Sequence, residues 1–135
     1  MRDKGFITAI IVVLVIGLLY LMAARVDGAE LPKEIPEGAV KMHFTCYCPE
    51  SCKGRITASG DEVREGIIAA SKDHMGDYAE VYLMDGTLLG LYQCLDTGGN
   101  PGIKNGHVID VWAPHLTKAK ILMRVTGGEV YVKWY

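Results

Sequence analysis

Ala79-Glu80-Val81-Tyr82-Leu83-Met84-Asp85-Gly86-Thr87-Leu88-Leu89-Gly90-Leu91-Tyr92-Gln93-Cys94-Leu95-Asp96-Thr97-Gly98-Gly99 carries the clearest strand pattern in the chain and points to its fold class. Two apolar runs, Ala79 to Met84 and Thr87 to Leu95, meet at Asp85-Gly86. That dipeptide supplies the backbone freedom a tight hairpin needs, so the runs are expected to be antiparallel strands. Asp96 opens a Gly-rich turn, where unhindered backbone lets a ligand approach closely.

Downstream, Gly99 to Gly106 reads as a loop containing Pro101, followed by the apolar run Val108-Ile109-Asp110-Val111-Trp112. A carboxylate inside such a strand must be paired, hydrogen-bonded or functional, because burying it bare is costly. Burial would raise its pKa, which suits a general acid at neutral pH. Asp110 and Asp96 therefore form a pair of acids in contrasting environments, a starting point for sugar chemistry. Leu116 to Val125 reads as the one soluble helix, entered through Pro114-His115 and stopped by Gly127-Gly128. Glu129 to Tyr135 alternates as a closing strand, with Val130, Val132 and Trp134 on one face.

Upstream of the hairpin, Gly66 to Ala70 is a short apolar strand, Pro49 to Gly60 a loop, and Val40 to Tyr47 a first strand. Six or so short strands with one helix predict a mainly β chain and suggest a small barrel rather than a sandwich, two architectures that periodicity alone does not separate.

At the N-terminus, Phe6 to Ala24 is a 19-residue run without charge or proline. A helix of that length, at ~1.5 Å per residue, nearly matches the ~30 Å hydrocarbon core of a bilayer. Arg2 and Lys4 before it predict a cytoplasmic N-terminus and an extracytoplasmic remainder. The expectation is an uncleaved single-pass membrane anchor. The competing reading, a cleaved signal peptide and a secreted domain, suffers from the length of the run and poor small-x-small sites. The expected organisation is an anchor over 1–25, a stiff Pro- and Glu-containing linker over 26–38, and a folded domain over 39–135. Beyond residue 25 there are 11 Lys+Arg against 15 Asp+Glu, a net charge of -4, which argues against nucleic acid as a partner.

Cys46, Cys48, Cys52 and Cys94 in a small exported domain favour disulfides, with three connectivities open. The working expectation is a Cys48–Cys52 loop bridge with a Cys46–Cys94 bridge across the barrel. Zinc on the C-x-C-x3-C thiols with Cys94 or His43 is the competing reading. The paired C-x2-C knuckles of structural zinc are missing, and no metal is expected. His43, His74, His107 and His115 form no ligand spacing. Ser59 is not on a strand-turn-helix elbow. Asp96-Thr97-Gly98 matches the Asp-Thr-Gly of aspartic proteases, but those enzymes need two such loops, and this chain has one.

The order Phe44-Thr45-Cys46-Tyr47-Cys48, Thr57-Ala58-Ser59-Gly60, Gly66-Ile67-Ile68-Ala69-Ala70, Glu80-Val81-Tyr82-Leu83, Leu95-Asp96-Thr97-Gly98-Gly99, Ile103-Lys104 and His107-Val108-Ile109-Asp110-Val111-Trp112 closely resembles the 3D (three-aspartate) domain. That family is related to membrane-bound lytic transglycosylase A, rare lipoprotein A and expansins. The resemblance spans roughly Met42 to Trp112. It implies a six-stranded double-psi β-barrel and an extracytoplasmic enzyme acting on peptidoglycan glycan strands. In the catalytic relatives the β-1,4 bond between N-acetylmuramic acid and N-acetylglucosamine is cut without water, leaving a 1,6-anhydro end.

Carried over by position, the resemblance implies Asp110 as general acid and then base, with Asp96 in support. It implies Thr57 and Ser59 as groove-floor hydroxyls, Thr97, Gly98 and Gly99 as backbone contacts to the sugar, and Tyr47 as a stacking platform. No cofactor is required, and a monomer is expected. The family's first aspartate falls here on Ser71, which makes Asp73 the candidate third acid. The alternative function is a non-catalytic glycan-binding or expansin-like wall-loosening module.

Overall fold

In the computed structural model the described residues are 15–16, 33–51 and 56–135. The expected membrane anchor, apart from helical Val15 and Ile16, lies outside them, as does Cys52. Among the described residues no helix is long and apolar enough to cross a membrane. The chain divides into two units, Met1–Pro32 and Lys33–Tyr135, and the strands found among the described residues belong to the second.

Alternation in the first strand, β1 (Val40–Tyr47), sends Met42 and Phe44 inward and leaves Lys41 and His43 exposed. The other strands are β2 (Ile67–Ala69), β3 (Tyr78–Tyr82), β4 (Leu88–Asp96), β5 (Val108–Trp112) and β6 (Glu129–Trp134). They close into a barrel in the order β1-β5-β2-β4-β3-β6. β1 with β5 and β2 with β4 pair in parallel, while β2–β5, β3–β4, β3–β6 and β1–β6 are antiparallel. The interior is filled by Met42, Phe44, Ile68, Ala70, Ala79, Val81, Cys94, Ile109, Val111, Val130 and Val132. Each large aliphatic or aromatic side chain buried there contributes ~1.5–3 kcal/mol of transfer free energy. The mainly β barrel expected from the strand pattern is the architecture observed.

Two local readings are corrected. The Gly99–Gly106 stretch is not all loop: it holds a one-turn helix, α1 (Pro101–Lys104). Asn100 caps it by accepting from the Gly102 N–H (2.8 Å), and Pro101 occupies the first turn, where its missing N–H costs nothing. Leu83 and Met84 leave β3 for the hairpin turn, where the Leu83 N–H donates to the Thr87 carbonyl (2.8 Å). Gly86 is required in that turn: its φ is +84°, and a Cβ there would stand 2.1 Å from the Lys33 carbonyl oxygen. The longer helix, α2 (Leu116–Thr126), starts where His115 Nδ1 accepts from the Lys118 N–H (3.1 Å) and ends at Gly127 in the left-handed region.

Candidate active site

Register brings four residues into one row across four neighbouring strands. Thr45 of β1 lies opposite Asp110 of β5, Asp110 opposite Ala69 of β2, and Ala69 opposite Asp96 of β4. Since adjacent strands lie ~4.8 Å apart, the two aspartate backbones are separated by roughly 10 Å, with only a methyl group between them. Asp110 reaches the outer face by simple alternation, because Ile109 and Val111 fill the core.

Asp96 needs a further device. Cys94 is a core residue, so strict alternation would send Asp96 inward as well. Ile68 pairs with Cys94 and Ala69 with Asp96, so Leu95 is an extra, bulged residue that reverses the parity. Bulges re-aim side chains in this way beside functional sites. The result is an open cleft of about 290 Å³ lined by Tyr47, Ser51, Ile56, Val63, Ala69, Asp96, Thr97, Gly98 and Asp110.

The two acids have different partners. Asp96 Oδ1 accepts from the backbone N–H of Ala58 (3.0 Å) and of Thr97 (2.9 Å), and its Oδ2 accepts from the Tyr47 hydroxyl (3.3 Å). Asp110 Oδ1 accepts from the Thr45 hydroxyl (2.9 Å). Burial pushes the Asp110 carboxyl above the usual carboxylate range; the Thr45 hydrogen bond opposes this and the nearby Asp96 charge adds to it. A carboxyl of this kind holds its proton to higher pH and can deliver it to a bound oxygen.

Asp96, Asp110, Tyr47, Thr97 and Gly98 all line the cleft. A Cβ at Gly98 would stand 2.6 Å from Ile103 Cδ1, so a side chain there would require Ile103 to shift. Thr57, Ser59 and Gly99 are not among the lining residues. Thr57 is buried; its hydroxyl bonds to that of Ser59 (2.8 Å) and accepts from the Asp61 N–H (3.1 Å). These hydroxyls close the 57–61 loop, which holds Asp96 through the Ala58 N–H, and so serve the site from behind.

Asp73 does not join the two acids. After Ala70 the chain leaves the sheet, and residues Lys72–His74 form a 3-10 turn with Asp73 exposed. Ser71 is buried and accepts from the Asp73 N–H (3.4 Å). Thr45, Ser51, Ile56, Val63 and Ala69 join the site without having been expected there from the sequence. Alternation along β1 is the signal that would have found Thr45, which lies two residues from Tyr47.

Cys46, Cys48 and Cys94 are free thiols, so the expected Cys46–Cys94 bridge is not formed, while the expected Cys48–Cys52 bridge involves Cys52, outside the described residues. Cys48 instead packs with Ala113 and Ala119, and the half-buried Cys46 and Leu122 pack against that cluster. Burial pushes the Cys46 thiol up to about 12, with the Asp110 charge and then Cys48 adding to the effect, and raises Cys94 to about 11. Neither is a nucleophile at neutral pH. Among the described residues no group of three or more His, Cys, Asp or Glu is placed to hold a metal ion. Comparison with protein-family models and with curated proteins finds no match for this chain.

Proposed function

We propose that the Lys33–Tyr135 unit is an extracytoplasmic lytic transglycosylase on a double-psi β-barrel, cleaving the MurNAc–GlcNAc β-1,4 bond of peptidoglycan. The observation that carries this reading is the row Thr45–Asp110–Ala69–Asp96, which turns two unlike carboxyls toward one open cleft. The closed six-stranded barrel with two parallel pairs supports the finer fold assignment.

In this mechanism the protonated Asp110 gives its proton to the glycosidic oxygen as the bond to the muramic C1 breaks. Positive charge then develops at C1 and the ring oxygen, facing the Asp96 carboxylate. The muramic C6 hydroxyl attacks C1, and Asp110, now a base, takes its proton. The product is a 1,6-anhydro end, no water is consumed, and Asp110 regains its starting state. Thr45 and the three donors on Asp96 keep both carboxyls in place. The chemistry needs no cofactor. The protein works as a monomer, held at the membrane by its N-terminal apolar segment, and takes no nucleic acid.

The test is mass spectrometry of muropeptides after the full chain is incubated with purified peptidoglycan. Anhydro-muropeptides that vanish with Asp110→Asn support the reading. Reducing ends in their place would make the protein a hydrolase. One observation favours a second reading, a non-catalytic glycan-binding module: an uncharged, capping Ser71 stands where a third acid is expected. Co-sedimentation with the wall and no new ends would decide for it.

A further inference from the structure

The helix α2 turns Ala119, Thr126 and the half-buried Leu122 toward the barrel, with Leu122 packed against the core. Its other large apolar residues Leu116, Ile121, Met123 and Val125 are exposed, Ile121 by 53 % and Val125 by 52 %. A helix whose only task is to cover a barrel keeps its large apolar residues on the covered face. At 3.6 residues per turn, Ile121 and Val125 lie side by side on the face away from Ala119 and Thr126. Lys118 falls on one flank of that pair, and Lys120 and Arg124 on the other.

Those three cations are all the charged residues of the helix, in a chain whose net charge is -2. The acid touching it, Glu50, sits at the N-terminal end and accepts from the Leu116 N–H (3.4 Å), away from the Ile121–Val125 pair. We infer that this face is an interfacial docking surface for an anionic lipid bilayer. Ile121 and Val125 enter the headgroup boundary, while Lys118, Lys120 and Arg124 reach sideways to lipid phosphates. Charge selects this occupant over a second copy of the chain, because two such faces brought together would oppose six cations. The inference stands apart from the cleft chemistry, since it uses none of the cleft residues.

The experiment is hydrogen exchange on the full chain in phosphatidylcholine vesicles with and without phosphatidylglycerol, so that the N-terminal segment is present in both arms. Peptides covering 116–126 should exchange about tenfold slower in the anionic vesicles. Salt at about 0.5 M should remove the difference. So should Lys118→Glu with Lys120→Glu and Arg124→Glu, or Ile121→Ser with Val125→Ser, while β5 and β6 peptides stay protected and report an intact barrel. Equal exchange of wild-type 116–126 in the two vesicle types overturns the inference. Protection that survives charge reversal in a folded variant overturns it too, as does protection that grows with protein concentration without lipid, which would indicate a second copy.

Discussion

Replacing Ala69 by Leu tests the cleft most directly, because Ala69 separates the two aspartates and carries no chemistry of its own. Its methyl is the sole side chain between Asp110 and Asp96 in the row. Leu adds three carbons, reaching about 2.5 Å beyond the Cβ across two bonds of ~1.5 Å. At roughly 30 Å³ each, taking a water-sized share per carbon, they occupy about 90 Å³. That is close to a third of the 290 Å³ cleft. A sugar seated there would move by more than 1 Å, a displacement that costs about 10²-fold in rate. Anhydro-muropeptide release should therefore fall at least about 10²-fold, equivalent to about 2.7 kcal/mol of transition-state stabilisation. Ala69 is itself buried, so overpacking there costs about 1–3 kcal/mol, and a melt that still shows a cooperative transition identifies the folded variant. Release is measured at 25 °C alongside a circular-dichroism melt, with Ala69→Ser as the size-conserving control. A folded Ala69→Leu protein within about threefold of wild type would refute the placement of substrate between the two acids.

Four further outcomes are expected. Activity should fall as pH rises through the raised pKa of Asp110, since the protonated form is the acid; a pH–rate profile without that limb in the wild type would contradict the assignment. The same group binds its proton more tightly folded than unfolded, so its contribution to stability is complete below the unfolded value near ~3.9 and is lost as pH rises through the folded one. Asp110→Asn, which cannot ionise, should lose less stability than wild type over that interval in pH-dependent melts. Tyr47→Phe removes one 3.3 Å hydrogen bond to Asp96 and should lower turnover up to about tenfold without changing the fold, within the ~0.5–1.5 kcal/mol of a typical bond. Phe44→Ala, by contrast, opens a cavity in the barrel interior and should cost about 3–5 kcal/mol in a urea titration.

Much of this architecture is legible in the chain itself. Period-two alternation identifies β1, β5 and β6, and Asp85-Gly86 marks the hairpin, because each signal is local. The outward direction of Asp110 also follows locally, from its apolar neighbours Ile109 and Val111. The cysteines are less legible, since spacing alone does not say which thiols the fold brings together.

Asp73 shows where a local rule stops: continued alternation would have aligned it with the site, but the chain turns at Ser71. The large exposed residues of α2 are another case, because helical periodicity locates an apolar stripe without saying which stripe the barrel covers.

The strands, the longer helix and the identity of the two acids can be read from the linear chain, because all are properties of neighbouring residues. That these acids meet is a property of the folded barrel alone. Pairing β5 and β2, and β2 and β4, sets Ala69 opposite both, and a single bulged residue, Leu95, turns Asp96 out of the core. Register between strands depends on closing the whole barrel around its interior, and no stretch of the chain encodes that closure alone.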